Sequence, residues 1–296
     1  MPEYDYHLLD VFTTQRFGGN PLAVFPQAAG MDEGLMQQIA KELNLSETTF
    51  VLPPSDGQSD YHVRIFTPAR ELPMAGHPTV GTAFLLHRLG KLDAPGSVIF
   101  QEGVGPVPVA LSLDDARRLV ATMSQPMPDF GKIYENRAEI AAMLSITEND
   151  LLADYPLQVV STGVPFLLIP IKDLATIQHV NLRIDLWDRL LKVDGHDVFV
   201  FTPETVHDAS ALHSRMFAPT MHIAEDPATG AAAGPVAAYM VKHGLLQPGA
   251  FVNEQGYEMG RPSLIQIGID YEWEQFTGVR VGGNSAYVGR GTIVID

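Results

Sequence analysis

Arg64-Ile65-Phe66-Thr67-Pro68 and Arg215-Met216-Phe217-Ala218-Pro219 spell the same short strand twice. The first copy leads into Ala75-Gly76-His77-Pro78-Thr79 and the small-residue run Gly81-Thr82-Ala83. The second leads into Glu225-Asp226-Pro227-Ala228-Thr229-Gly230 and Ala231-Ala232-Ala233-Gly234. Upstream, Gly18-Gly19-Asn20-Pro21-Leu22-Ala23-Val24-Phe25 is echoed by Thr162-Gly163-Val164-Pro165-Phe166-Leu167-Leu168-Ile169. Each copy then reads as a helix, a β-rich run (48–52; 198–202), the Arg-x-Phe-x-Pro strand and a glycine turn. Self-similarity at so long a period points to two related half-domains and not to a solenoid of small repeats. Two lobes built alike leave a cleft, a preferred place for a small-molecule site.

Between the repeats, strand-like segments dominate, punctuated by Gly, Pro, Asn and Asp. The helix candidates are 31–44, with Leu35, Ile39 and Leu43 on one face, 79–89, 137–144, 186–192 and 229–243. The second and last are apolar on nearly all faces, the composition of a helix enclosed by sheet. Ser124-Gln125-Pro126-Met127-Pro128-Asp129-Phe130-Gly131 is the best linker. The alternating segment from 279 onward is expected to return to the first lobe. The expected division is 1–117 with 280–296 as the N-terminal lobe and 118–279 as the C-terminal lobe.

A chain of 296 residues holds two cores of ordinary size. Its formal charge of −16 argues against nucleic acid and anionic membrane surfaces, which reward clustered Lys and Arg. A small anionic ligand stays compatible, because backbone dipoles can hold a carboxylate inside an acidic protein. The N-terminus alternates and carries acids, like a strand and unlike a signal peptide, and no apolar run approaches the ~20 residues of a membrane span. The expected location is the cytoplasm. Cysteine is absent, which removes disulfides, thiolate metal sites and thiol chemistry together.

Three residues invite a catalytic reading, each beside a plainer one. Glu47 stands where a helix ends and a β-rich run begins. It reads as a general base held at a cleft, where desolvation tunes a carboxylate, or as a solvated turn residue. His77 precedes an apolar helix whose positive end disfavours imidazolium, so it reads as a neutral proton donor or acceptor, or as a packed turn residue. Asp226 is by itself best read as an N-cap with Pro227 at the first helical position. Its functional reading comes from standing in the second repeat where Gly76-His77 stands in the first. If the repeats face each other, two helix N-termini converge and offer backbone N–H groups to an anion. Arg261 reads as a binder of substrate carboxylate or as a turn residue. His207 and His213 read as surface or packing groups. The glycine turns match no nucleotide-binding motif, and the ten histidines show no metal-ligand spacing.

Gly19-Asn20-Pro21, Leu45-Ser46-Glu47-Thr48-Thr49-Phe50, Arg64 to Pro68, Ala75-Gly76-His77-Pro78, Met216-Phe217-Ala218-Pro219, Glu225 to Gly230 and Gly260-Arg261-Pro262-Ser263 occur in one order. Together they resemble the PhzF-like phenazine-biosynthesis family, and the likeness runs over nearly the whole chain. The resemblance implies an α+β fold of two pseudo-symmetric diaminopimelate-epimerase-like lobes, each a rolled, mostly antiparallel sheet around a central helix, and a homodimer. It implies that Glu47 is the acid/base that moves a proton between ring carbons of trans-2,3-dihydro-3-hydroxyanthranilate. His77 and Asp226 then hold and polarise substrate, while Gly76 and Gly230 meet it through backbone N–H groups. Ala231 stands where the phenazine isomerase carries a serine, so one hydroxyl for substrate is missing. The expected function is a cofactor-independent isomerase of a small carboxylate. An epimerase or racemase working without thiols, and a non-catalytic ligand-binding relative, are the alternatives.

Overall fold

The computed structural model describes residues 2–295 and divides into two compact units, Met1–Ser124 with Val281–Asp296, and Gln125–Arg280. The first unit contains β1 (Glu3–Val11), β2 (Asn20–Phe25), α1 (Glu33–Leu43), β3 (Glu47–Leu52), β4 (Tyr61–Phe66) and β5 (Glu71–Leu72). There follow α2 (Gly76–Arg88), β6 (Gly96–Glu102), β7 (Gly105–Leu113) and β8 (Leu119–Gln125). The second unit runs β9 (Asp129–Tyr134), α3 (Arg137–Met143), β10 (Leu157–Ser161), β11 (Pro165–Pro170), α4 (Leu174–His179) and α5 (Ile184–Leu190). It continues with β12 (Asp197–Thr202), β13 (Leu212–Ala218), β14 (Ile223–Asp226), α6 (Gly230–Lys242), β15 (Gly249–Gln255), β16 (Ser263–Glu272) and most of β17 (Gln275–Gly283). β18 (Ser285–Val294) pairs antiparallel with β1. The class is α+β.

The two units repeat one ladder. In the first, β1–β2 is antiparallel, β2–β3 parallel, β3–β4 and β4–β5 antiparallel, β4–β6 parallel and β6–β7 antiparallel. In the second, β10–β11 is antiparallel, β11–β12 parallel, β12–β13 and β13–β14 antiparallel, β13–β15 parallel and β15–β16 antiparallel. Each parallel step needs a crossover, and helices supply it: α1 before β3, α2 before β6, α4 and α5 before β12, and α6 before β15. The strands whose faces are both covered read as unbroken apolar runs, as in Val198-Phe199-Val200-Phe201, where all four residues are buried.

The central helices explain their odd composition. α2 packs against β1, β2, β3, β7 and β18, and Gly81 lets it lie close, since a Cβ there would meet Leu22 Cδ2 at 2.5 Å and Val11 Cγ2 at 2.7 Å. α6 packs against β10, β11 and β16. α1 is instead a surface helix, opened by Asp32 accepting from Leu35 N at 2.9 Å and closed by Asn44 in the left-handed conformation. Its buried stripe is Met36, Ile39 and Ala40. Leu35 and Leu43 lie on its flanks, so the face is rotated from the expected one. Beneath it Phe25 stacks on Phe50 at 4.9 Å and Phe66 meets Phe50 edge-on at 5.6 Å.

Three expectations change. The helix expected at 79–89 begins at Gly76, so His77 lies in its first turn and not before it. The helix expected at 186–192 spans Ile184–Leu190. The linker expected at 124–131 shrinks to 126–128, because Pro126 and Pro128 stop ladder pairing only between β8 and β9.

Candidate active site

Glu47 is the first residue of β3 and pairs in register with Leu22 of the parallel neighbour β2. Its end of the strand is pinned twice. Ser46 Oγ donates to Asn20 Oδ1 at 3.1 Å, and two residues beyond Glu47 the Thr49 hydroxyl lies 3.0 Å from that of Thr82 in α2. Strand and helix are thereby locked side by side, and the first turn of α2 carries His77 to Glu47. His77 Nε2 stands 3.2 Å from Glu47 Oε2, with the two residues 4% and 7% exposed. Burial pushes the His77 imidazole down to about 3, so at neutral pH it is uncharged. A neutral imidazole gives or takes one proton beside a carboxyl group, and that is the equipment of acid/base chemistry.

Gly76 opens α2, and Ala75, at its N-cap position, offers no side-chain cap. The N–H groups at the start of a helix have no intrahelical partner, and here neither Ala75 nor Gly76 supplies a side-chain cap. That is a cradle suited to an oxyanion or carboxylate.

In the second unit, Asp226 ends β14 and is buried. Its Oδ2 accepts from Thr229 Oγ1 at 2.5 Å and its main-chain oxygen from Gln255 Nε2 at 2.8 Å. The expected N-cap role for Asp226 fails. α6 begins at Gly230 with Thr229 in the cap position, and Pro227 lies before the helix. The cause is a set of hydrogen bonds that hold the turn extended: Ser263 Oγ donates to Pro227 O at 2.9 Å, and Thr229 N donates to Gln255 Oε1 at 3.0 Å. Gly230 is buried and its carbonyl accepts from Gln125 Nε2 at 3.0 Å, while Ala231 is half-buried in the first helical turn. Arg261 is half-buried in the turn between β15 and β16. Its N–H donates to Gly256 O at 2.9 Å, and its carbonyl oxygen lies 3.0 Å from Ser263 Oγ.

Two buried polar groups have partners that the sequence does not show. Thr79 Oγ1 lies 2.6 Å from Glu102 Oε1, and Glu102 is buried. His213 is fully buried, with Nδ1 3.2 Å from Glu254 Oε2 and Nε2 2.9 Å from Glu258 Oε1. Burial pulls its pKa down, but Glu258 and Glu254 outweigh burial and raise it, so of its two readings His213 takes the packing one, as an ion-paired core residue. His207 is exposed. Neither Glu102 nor His213 could be found from spacing, because their partners lie 23 to 45 residues away in sequence. Among the described residues no group of His, Asp and Glu is arranged to hold a metal ion.

The family model for the phenazine biosynthesis-like proteins, PhzC-PhzF, matches residues 9–291. The chain belongs to that family. It is 36% identical over the full length of both chains to an uncharacterized isomerase of Mesorhizobium japonicum. It is 34% identical to trans-2,3-dihydro-3-hydroxyanthranilate isomerase of Pseudomonas fluorescens, over 99% of this chain and 100% of the other. The crystal structure of a PhzF-family phenazine biosynthesis protein from Bacillus anthracis superposes with a TM-score of 0.92 at 27% identity, covering both chains completely. Membership in this PhzF family makes the chain an isomerase.

Proposed function

We propose that this PhzF-family isomerase moves a proton from one carbon to another on a small carboxylate, with Glu47 as the acid/base and no cofactor. The observation that carries the reading is the buried approach of His77 Nε2 to Glu47 Oε2, 3.2 Å, at the uncapped N-terminus of α2. Glu47 takes a proton as a C–H bond breaks, the electron pair spreads into the adjacent unsaturated system, and the same proton returns to another carbon. Atoms and charge balance without an oxidant. The neutral His77 supplies a hydrogen bond to the charge that develops, and the first-turn N–H groups of α2, with Gly76 among them, bind the carboxylate. Asp226 and Gly230 are assigned supporting roles through the motif Glu225 to Gly230. Ala231 and Arg261 are assigned to substrate contact, and the missing hydroxyl at Ala231 favours a substrate with one fewer polar substituent than the phenazine precursor.

The substrate class follows the Pseudomonas fluorescens relative: a cyclic, amino-substituted carboxylate related to dihydro-hydroxyanthranilate. The test follows such compounds by NMR in deuterated water with purified protein dialysed against chelator. Turnover should survive dialysis, and Glu47→Gln should lower it by at least ~10²-fold, the usual contribution of a general base. The melting temperature should stay within about 2 °C, as expected of a near-isosteric change. Full turnover in Glu47→Gln overturns the assignment. Deuterium entering one carbon with inversion, and no shift of the double bond, would make the enzyme an epimerase instead.

A further inference from the structure

Thr79 lies one turn into α2, two residues past His77, and its hydroxyl oxygen is flanked by two oxygens. Ala75 O is 2.7 Å away and Glu102 Oε1 is 2.6 Å away. A hydroxyl donates once, and two oxygens that close repel unless a proton lies between them. Ala75 O has no proton to give. Both contacts are satisfied only if Thr79 donates to Ala75 O and Glu102 donates to Thr79, which requires the carboxyl to carry a proton. The other oxygen, Oε2, is buried without a hydrogen-bond partner, a position that suits the carbonyl of an acid and is costly for a carboxylate.

The second unit carries an independent sign of the same arrangement. Glu102 ends β6, which runs parallel to β4; Gln255 ends β15, which runs parallel to β13. Each is followed by a glycine pressed on the loop before the central helix. A Cβ on Gly103 would meet Pro73 Cα at 2.7 Å, and one on Gly256 would meet Pro227 O at 2.5 Å. Gln255 Nε2 donates to Thr229 Oγ1 at 2.9 Å, as Glu102 must donate to Thr79. One repeat uses an amide and the other an acid of nearly the same shape.

We propose that Glu102 is a positioning residue that works in its protonated form, standing in for an amide, and that through Thr79 it fixes the first turn of α2 and hence His77. The elements around its carboxyl bring no ion to it among the described residues. β7 and the Pro73–Ala75 stretch contain no titratable side chain, and the first turn of α2 brings only the neutral His77. On β4, His62 lies beside Gln101 in register, and Arg64 is bound to Glu33 and Glu71. Burial pushes the Glu102 carboxyl up to about 8, against a weaker downward pull from Thr79. Ionisation would turn the Thr79 hydroxyl away from Ala75 O and loosen the turn that carries His77.

Glu102→Gln copies the protonated acid, and Glu102→Ala removes the bond. A folded acid with a raised pKa contributes stability that is whole in acid and lost as pH rises through its folded pKa. Glu102→Gln should therefore melt with the wild type at pH 5 and above it at pH 9, while Glu102→Ala melts below both at pH 5. In a ¹³C-glutamate sample, one Cδ resonance should titrate near neutral to alkaline pH and be missing from Glu102→Gln. These readouts do not depend on the proposed reaction. The catalytic part rests on the assignment of Glu47 and His77: kcat of Glu102→Gln should match the wild type at pH 6.5 and fall less than the wild type by pH 9. The proposal is overturned if the Cδ resonance titrates in the ordinary acidic range. It is also overturned if the melting difference between wild type and Glu102→Gln is constant from pH 5 to 9. If Glu102→Gln folds, melts as expected and yet loses tenfold or more in kcat at pH 6.5, the positioning role is wrong and the ionised carboxylate is the working form.

Discussion

Burial holds His77 at about 3, whereas the free side chain titrates at 6.5. Between those values the unfolded chain binds a proton that the folded chain refuses. The contribution of His77 to stability is therefore whole above pH 6.5 and is lost as pH falls toward 3. His77→Gln has no such proton to refuse. Its melting temperature should differ from that of the wild type by a constant amount above pH 7, and the difference should move in favour of the mutant as pH drops to 4. A parallel pair of melting curves would show that the imidazole titrates normally. The sequence singled out both Glu47 and His77, but not their contact. They are thirty residues apart, and the β2–β3 register, the Asn20–Ser46 bond and the Thr49–Thr82 pair help to bring them to 3.2 Å. Asp226 shows the opposite case. Its sequence context is that of a helix cap, and side chains from β15 and β16 hold its turn open instead.

At the scale of elements, the small-residue runs of α2 and α6 were legible as enclosed helices, because no polar face was left to meet water. What a given glycine makes room for was not legible. Gly234 of α6 is closest to Gln125, whose Oε1 would lie 2.0 Å from a Cβ. That side chain donates to Gly230 O at 3.0 Å and accepts from Thr162 Oγ1 at 2.8 Å. Gly→Ala inside a helix ordinarily stabilises by roughly 0.5–1 kcal/mol. Here overpacking, at ~1–3 kcal/mol, should win, since both bonds of Gln125 must be given up. Urea unfolding of Gly234→Ala should show a net loss, and a gain would mean that Gln125 moves aside freely. The same blindness applied to α1, where the apolar spacing gave the helix but placed its face a few tens of degrees from the true one.

On the scale of the whole chain, the duplicated Arg-x-Phe-x-Pro strand was the most legible feature, and the repeat extends to atoms. Arg64 forms a two-bond contact with Glu71 and lies 5.1 Å from the ring of Phe66. Arg215 does the same with Glu225 and Phe217, also at 5.1 Å. The surroundings differ. Arg215 is the more buried, with side-chain exposure of 8% against 17%, and it also donates to the carbonyls of Ile177 and Val180. Removing one member of a buried pair costs ~3–5 kcal/mol, whereas exposed pairs contribute ~0–1 kcal/mol. Arg215→Met should thus destabilise several times more than Arg64→Met in denaturant titrations, and equal losses would mean that burial does not set the difference. The enclosure of α2 and α6 carries one more consequence. Beyond the first turn, their backbone amides reach solvent only when the surrounding strands part, so these should be the last in each unit to undergo isotope exchange, with the surface helix α1 far ahead of them. The turn that bears His77 is thus anchored to the most persistently closed segment of its unit, and the groups assigned to proton transfer would keep their spacing through every partial opening of the protein around them.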